Sequence, residues 1–214
     1  IGPCFRTGEC GRRHNPEFTL LEWYRAHSDD IQMLADTEAL VRSVARCDSI
    51  SYQGGTIDLT APWPKLTVRN AFKKWAGWDT TIEWDADRFD VDLLEKVEPQ
   101  LPKDRPCVLN EYPAPAASLA RLKPGNPLVA ERWEVYIGGL EIANAYTELC
   151  DAKTQRKRFK ESAAERAALG KFPYPMDDDF LNALVNPGMP PSGGIALGVD
   201  RLVMILCDTA DIAD

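Results

Sequence analysis

The chain has little of what builds a nucleic-acid grip, a disulfide framework or a membrane span. Its 25 Lys and Arg are outnumbered by 33 Asp and Glu, which leaves a formal charge of −8. Proteins that hold a phosphate backbone usually present a basic face, so a large nucleic-acid footprint is disfavoured and only a local patch stays open. The one basic cluster, KTQRKRFK from Lys153 to Lys160, reads as a solvated helix face. None of the six cysteines falls in a C-x-x-C pair. A chain of 214 residues buries enough core to need no stapling, so reduced thiols in a cytoplasm are expected. No apolar run approaches the roughly 20 residues of a membrane helix. The start, IGPCFRTGEC, lacks the basic-then-apolar order of a signal peptide. It also lacks Met and enters directly into strand-like sequence, so an absent upstream segment is expected. Repeats, low-complexity tracts and internal boundaries are missing, and one domain over 1–214 is expected.

What is present is a succession of hairpins and helices. Ile1 to Arg6 reads as a strand, followed by a charged loop to Pro16 and a second strand from Phe18 to Tyr24. Asp29 to Arg46 carries apolar residues at helical spacing. Thr67 suits an N-cap for a helix over Val68 to Trp75, and another helix is expected within Phe89 to Val97. The proline-rich stretch Pro99 to Pro127 surrounds a short strand, Cys107 to Tyr112. In ERWEVYIGGLEIANAYTEL, alternation through Trp133, Val135 and Ile137 leads to a tight turn at Gly138-Gly139 and a strand from Leu140. Asp151 to Leu169 reads as a charged helix, and a shorter one runs from the Asp177–Asp179 cluster to near Asn186-Pro187-Gly188. SGGIALGVDRLVMIL reads as a strand turning into an apolar helix. Hairpins outnumber strand-helix-strand crossovers, so the fold class expected is α+β, an antiparallel sheet with helices around it.

Three stretches carry chemistry. In FRTGECGRRHNPEF, Arg6 ends a strand and suits bidentate phosphate contact. Gly8 and Gly11 allow close backbone approach, His14 and Asn15 add polar contacts, and Phe18 offers a stacking face. A charged loop with a turn at Asn15-Pro16 is the plain alternative. In the second stretch Glu134, Glu141 and Glu148 could face one cavity. Paired carboxylates can hold Mg²⁺ or a substrate ammonium, or can be solubility charges on an edge. In GGIALGVDRL, glycines precede a helix whose first turn carries Arg201. A cation there opposes the helix dipole, and a bound phosphate would compensate. A simple strand-to-helix connection is the alternative.

Taken together, the order and spacing of these stretches resemble a known family. Arg6 with Glu9, then RRHNPEFTLLEW, resembles motif 2 of class II aminoacyl-tRNA synthetases in their lysyl form. GGIALGVDR resembles motif 3, and GGLEIANAYTEL resembles the lysine-pocket strand. The resemblance covers essentially the whole chain, with motif 2 near 1–25, motif 3 near 193–206 and motif 1 upstream. It implies a class II synthetase-like antiparallel sheet flanked by helices. Lysyl-tRNA synthetases carry Gly where this chain has Ala196. At that position, and in LEWYR and VDRLVM, the chain is similar to synthetase paralogs that attach (R)-β-lysine to a lysine of translation elongation factor P.

The resemblance implies roles. Arg6 would hold the α-phosphate of ATP, with Thr7, Gly8 and Glu9 beside it. Many relatives have Glu at the Gly8 position, so contact there would come from backbone or from Glu9. His14 and Asn15 would bind ATP and Phe18 would stack on adenine. Glu134 and Glu141 would hold Mg²⁺, Ile142 would lie against the nucleotide, and Gly198 and Arg201 would close over it. Tyr24, Glu141, Asn144, Glu148 and Ala196 would meet the amino acid, with Glu148 pairing an amine. Arg6 and Arg201 would be the catalytic pair, and no nucleophile is needed because catalysis is positioning and charge neutralisation. ATP and Mg²⁺ are the implied cofactors, and (R)-β-lysine or lysine the substrate. Elongation factor P is the acceptor, ahead of tRNA. A homodimer is implied for the full-length protein.

Three other readings are weighed. A lysyl-tRNA synthetase core would predict Gly at 196. A non-catalytic lysine- or ATP-sensing paralog would tolerate loss of Arg6, Arg201 and the glutamate pair. A zinc module on Cys4, Cys10 and His14 lacks a fourth ligand, and His27 reads as a surface residue.

Overall fold

One seven-stranded sheet organises the molecule, which was analysed as a computed structural model describing residues 1–172 and 174–213. In chain order the elements are β1 (Gly2–Phe5), β2 (Glu17–Ala26), α1 (Asp30–Ala45), β3 (Ser49–Tyr52), β4 (Gly55–Asp58), β5 (Lys65–Thr67), α2 (Val68–Trp75) and α3 (Ala86–Asp92). Then follow β6 (Cys107–Asn110), β7 (Leu122–Lys123), β8 (Asn126–Ala130), β9 (Arg132–Ile137), β10 (Leu140–Thr147), α4 (Ala152–Ala168), α5 (Asp178–Ala183), β11 (Ser192–Gly198) and α6 (Val199–Cys207). The large sheet has the order β1-β2-β11-β10-β9-β6-β5. Every pairing in it is antiparallel except β5 with β6. This is the expected α+β architecture.

Strand alternation separates the two faces of the sheet. One face presents Leu21, Trp23, Trp133, Val135, Ile137, Ala143, Ala145, Ile195 and Leu197, which pack with Met33, Leu34 and Val41 of α1 and Leu202 and Ile205 of α6. The other face carries two continuous rungs. Glu22, Ala196, Asn144 and Glu134 lie side by side across β2, β11, β10 and β9, and Tyr24, Gly194, Tyr146 and Arg132 form the next rung. One end of this second face is roofed by α2 and α3. There Phe72 stacks on Phe89 at 4.7 Å and meets the Trp78 edge at 5.4 Å, over Leu109, Tyr112 and Tyr136. The other end is left open as a cleft.

Local signals place the helices well. The Asp29 carboxylate accepts from Gln32 N at 3.0 Å, and Thr67 Oγ1 accepts from Asn70 N at 3.2 Å, each satisfying one orphan donor at a helix start. Gly138 and Gly139 both have positive φ, as the β9–β10 turn requires. The expected helix within Phe89 to Val97 starts earlier, because Asp85 caps it, and it continues past Asp92 as a wider turn to Val97. Two hairpins, β3–β4 and β7–β8, lie where no strand was expected. All six cysteines are free. Among the described residues, no helix is long and apolar enough to cross a membrane.

Candidate active site

The β1–β2 loop forms the first wall of the cleft. It is closed by Arg6 N donating to Pro16 O at 2.9 Å and by a reciprocal backbone pair between Gly11 and His14. The Arg6 guanidinium lies 5.3 Å from the centre of the Phe18 ring and 3.7 Å from Glu9, with most of its surface free. A phosphate placed beside Phe18 would find that charge available. Thr7 and Gly8 sit exposed at the loop tip, outside the cleft lining.

Arg201, in the first turn of α6, is the opposite wall. Its Nη1 donates to the Glu141 carbonyl at 2.9 Å, its Nε donates to Arg13 O at 3.3 Å, and its Nη2 meets His14 Nε2 at 2.8 Å. Burial and the Arg201 charge lower the His14 pKa, which keeps the ring neutral and lets Nε2 accept. Next to Arg201, Asp200 accepts from Thr19 N at 2.6 Å and pins the helix start to β2. The cation at a helix N-terminus is therefore held by three neighbours.

The carboxylates enter through a β-bulge. Glu141 and Asn144 are three residues apart and would face opposite ways in a regular strand. Register shifts between Glu141 and Ala143, so Glu141 pairs with Tyr136 and both polar side chains reach the same face. The extra residue, Ile142, turns into the core and is 2 % exposed, so it offers the cleft backbone rather than side chain. Glu141 is pushed up to about 7 by burial and by the Glu134 charge beside it, with Arg201 acting against the rise. Glu134 is 7 % exposed. It accepts from Arg132 Nη2 at 2.6 Å and from the Tyr136 hydroxyl at 2.9 Å. That hydroxyl also lies 3.1 Å from Glu98. One phenol hydrogen cannot serve two carboxylates, and Glu98, whose pKa burial raises, is suited to supply the second.

Two connected cavities result. The first, about 270 Å³, is lined by Arg6, Glu9, His14, Asn15, Phe18, Glu141, Ile142, Asn144, Ala196, Gly198 and Arg201. The second, about 570 Å³, holds Glu134 and Glu98 and shares Glu141 with the first. Tyr24 and Glu148 lie outside both linings, one rung further along β2 and just past the end of β10, on the side of the first cavity lined by Tyr146. Glu148 is pushed up to about 7 by burial alone. It fits there because residue 194 is glycine. A Cβ at that position would overlap Glu148 Oε1 and stand 2.7 Å from the Tyr24 ring.

The donor chemistry around Glu141 fits a hard divalent cation. All the candidate ligands are carboxylate oxygens, and their mutual repulsion is what a cation relieves. No group of three or more metal-ligating side chains occurs among the described residues. Mg²⁺ does not require one, since it is commonly held by one or two carboxylates plus phosphate oxygens.

Glu148 also makes a stability prediction. Its carboxyl is raised from 4.5 to about 7 in the folded chain. Below about pH 4.5 it is protonated in both states and costs nothing. Between about pH 4.5 and 7 the unfolded chain gives up this proton while the folded chain keeps it, so stability falls, and above 7 the folded state carries the whole cost of the desolvated charge. Glu148→Gln is expected to be more stable than the parent by about 1–2 kcal/mol at pH 8, after allowance for partial solvent screening, and equal to it near pH 4.5. Thermal melts at the two pH values check this, and an equal gain at both would contradict it.

Several lining residues were not singled out from sequence. Glu22 follows Phe18 and Leu20 at strand spacing, and Arg132 precedes Glu134 by two, so alternation points to both. Gly194, read from sequence with Gly193 and Gly198 as allowing close backbone approach, shows what it makes room for only once Glu148 is placed beside it. Glu98 and Arg13 arrive by tertiary packing, for which local sequence holds no signal.

Comparison with known proteins places the chain in a family. The family model described as tRNA synthetases class II (D, K and N) matches residues 1–214. The lysine–tRNA ligase of Moorella thermoacetica is 40% identical over 238 residues, covering 100% of this chain and 48% of that protein. The elongation factor P–(R)-beta-lysine ligase of Erwinia tasmaniensis is 40% identical over 221 residues, covering 98% of this chain and 67% of that protein. The chain thus spans about half the length of the lysine–tRNA ligase and two-thirds of the other relative. It belongs to the class II tRNA synthetase family of the D, K and N type.

Proposed function

We propose that the chain is the catalytic core of an ATP-dependent ligase that activates (R)-β-lysine or lysine as an adenylate and passes it to a lysine of elongation factor P. The observation that carries the choice of amino acid is Ala196. Its methyl stands in the cleft floor between Glu22 and Asn144, on the rung next to Gly194 and Tyr24. A methyl there removes room for an α-amino group, while a β-amino acid places its amine elsewhere.

In this reading the substrate carboxylate attacks the α-phosphorus of ATP, the bond to the β-phosphate breaks, and pyrophosphate leaves with the electron pair. Phe18 receives the adenine face, and Arg6 and Arg201 hold the charge that accumulates at phosphorus. Mg²⁺, held by Glu141 with Glu134, would supply further charge neutralisation on the phosphate oxygens. Glu148 pairs the far amine, and Tyr24 and Asn144 orient the chain between. An acceptor amine then displaces AMP. The setting proposed is the cytoplasm, with a homodimer in the full-length protein.

A second reading, a lysine–tRNA ligase core, is favoured by relatives of that name at equal identity. ATP–pyrophosphate exchange on the full-length protein separates the two. Faster exchange with (R)-β-lysine than with α-lysine is expected, and exchange with α-lysine alone would overturn the assignment. No exchange with either would favour a sensing role. Ala196→Gly is expected to shift kcat/KM toward α-lysine by about tenfold, the scale of one methyl in a pocket. An unchanged ratio would remove Ala196 from the specificity argument.

A further inference from the structure

A third cavity, about 600 Å³, lies behind the nucleotide loop, where β3–β4, the β9–β10 turn and the chain near Ala210 meet. Three cations line it: Arg12, Arg13 and Lys103. None of them makes an ion pair among the described residues, in a chain with eight more acidic than basic side chains. The one carboxylate in the lining, Asp104, lies 3.8 Å from Arg105. The glycine turn packs against one side of the cavity. A Cβ at Gly139 would touch the Lys103 stem at 3.5 Å, so that stem lies along the turn, and a Cβ at Gly138 would strike the Tyr52 ring at 2.9 Å. Arg13 also lines the first cavity, and its carbonyl receives Arg201 Nε, so the two cavities share a wall.

We propose that this cavity is an anion subsite that takes inorganic pyrophosphate as it leaves the nucleotide cleft. The assignment of pyrophosphate as the physiological ligand rests on the ligase reading above. The chemistry of the site does not, since three unpaired cations around a polar cavity fit a compact multivalent phosphate whatever produces it. The subsite would receive the leaving group past Arg13 and hold it away from the reacting phosphorus, which disfavours reversal.

The test is calorimetric titration of the full-length protein with inorganic pyrophosphate, without nucleotide or amino acid. The double variant Arg12→Ala/Lys103→Ala is expected to bind at least tenfold more weakly than the parent, and the loss should shrink as ionic strength rises. The single variants Arg12→Met and Lys103→Met keep the apolar stems and should each lose part of that factor. Equal affinity in parent and variants, or no binding to the parent at millimolar pyrophosphate, would overturn the subsite. Calorimetric binding with the expected loss, in a protein that shows no pyrophosphate exchange, would support the subsite and count against the ligase.

Discussion

Replacing Arg201 with alanine is expected to cut ATP–pyrophosphate exchange by about 10²–10³-fold, the range seen when one preorganised charge-stabilising donor is removed from an active site. Three contacts fix this guanidinium before any ligand arrives: the carbonyls of Glu141 and Arg13 and the neutral ring of His14. A side chain already ordered gives up little conformational freedom when charge develops beside it. Arg201→Lys keeps the charge but has no planar fork to span the same neighbours, so it should recover only part of the loss. The effect should fall on kcat, because the interaction strengthens as negative charge grows at phosphorus. Exchange kinetics at saturating ATP and amino acid measure it directly. A loss smaller than about threefold would make Arg201 a structural clamp and leave Arg6 as the principal charge in the cleft.

How much of this was legible beforehand depends on the range of the interaction. The helix cap at Thr67 and the glycine turn at Gly138-Gly139 are encoded within three or four residues and match the sequence expectation, while the Asp29 cap was legible in the same way but was expected only as the start of a helix. Phe18, Leu20, Glu22 and Tyr24 share a face because a strand alternates, so Glu22 is legible in the same stretch. The bulge at Glu141 and Ile142 was not legible. EIANA breaks alternation only at Ile142-Ala143, where two apolar residues adjoin with no glycine or proline beside them, and the bulge is defined by pairing with Tyr136 across the turn. It decides that Glu141 faces the cleft and that the Ile142 side chain does not. The α2–α3 roof is a similar case. The helix over Val68 to Trp75 was expected from its cap, but only packing shows that Phe72, Trp78 and Phe89 cover one end of the polar face and leave the other open.

Gly194→Ala is expected to raise the KM for the amino acid by about 30–150-fold while leaving ATP binding near its parent value. The added methyl would occupy the space of Glu148 Oε1 and press within 2.7 Å of Tyr24. Glu148 would have to leave its position, and a charge-assisted contact to a substrate amine, worth roughly 2–3 kcal/mol, would go with it. Backbone strain does not confuse the test, because Gly194 does not have the positive φ that disfavours alanine. Its neighbour supplies the control. A Cβ at Gly193 points to the other face of the sheet, 2.6 Å from the Asp29 carbonyl oxygen and 2.8 Å from Met33. Gly193→Ala must therefore displace the start of α1, and its cost should appear in melting temperature before it appears in KM. Two adjacent glycines on one strand thus separate the two demands made of this sheet. One keeps a helix close to the core, and the other leaves room for the Glu148 carboxylate that the proposed function pairs with an amine. Equal effects of the two variants on melting temperature, with no rise in KM for Gly194→Ala, would place the amine elsewhere and remove Glu148 from the site.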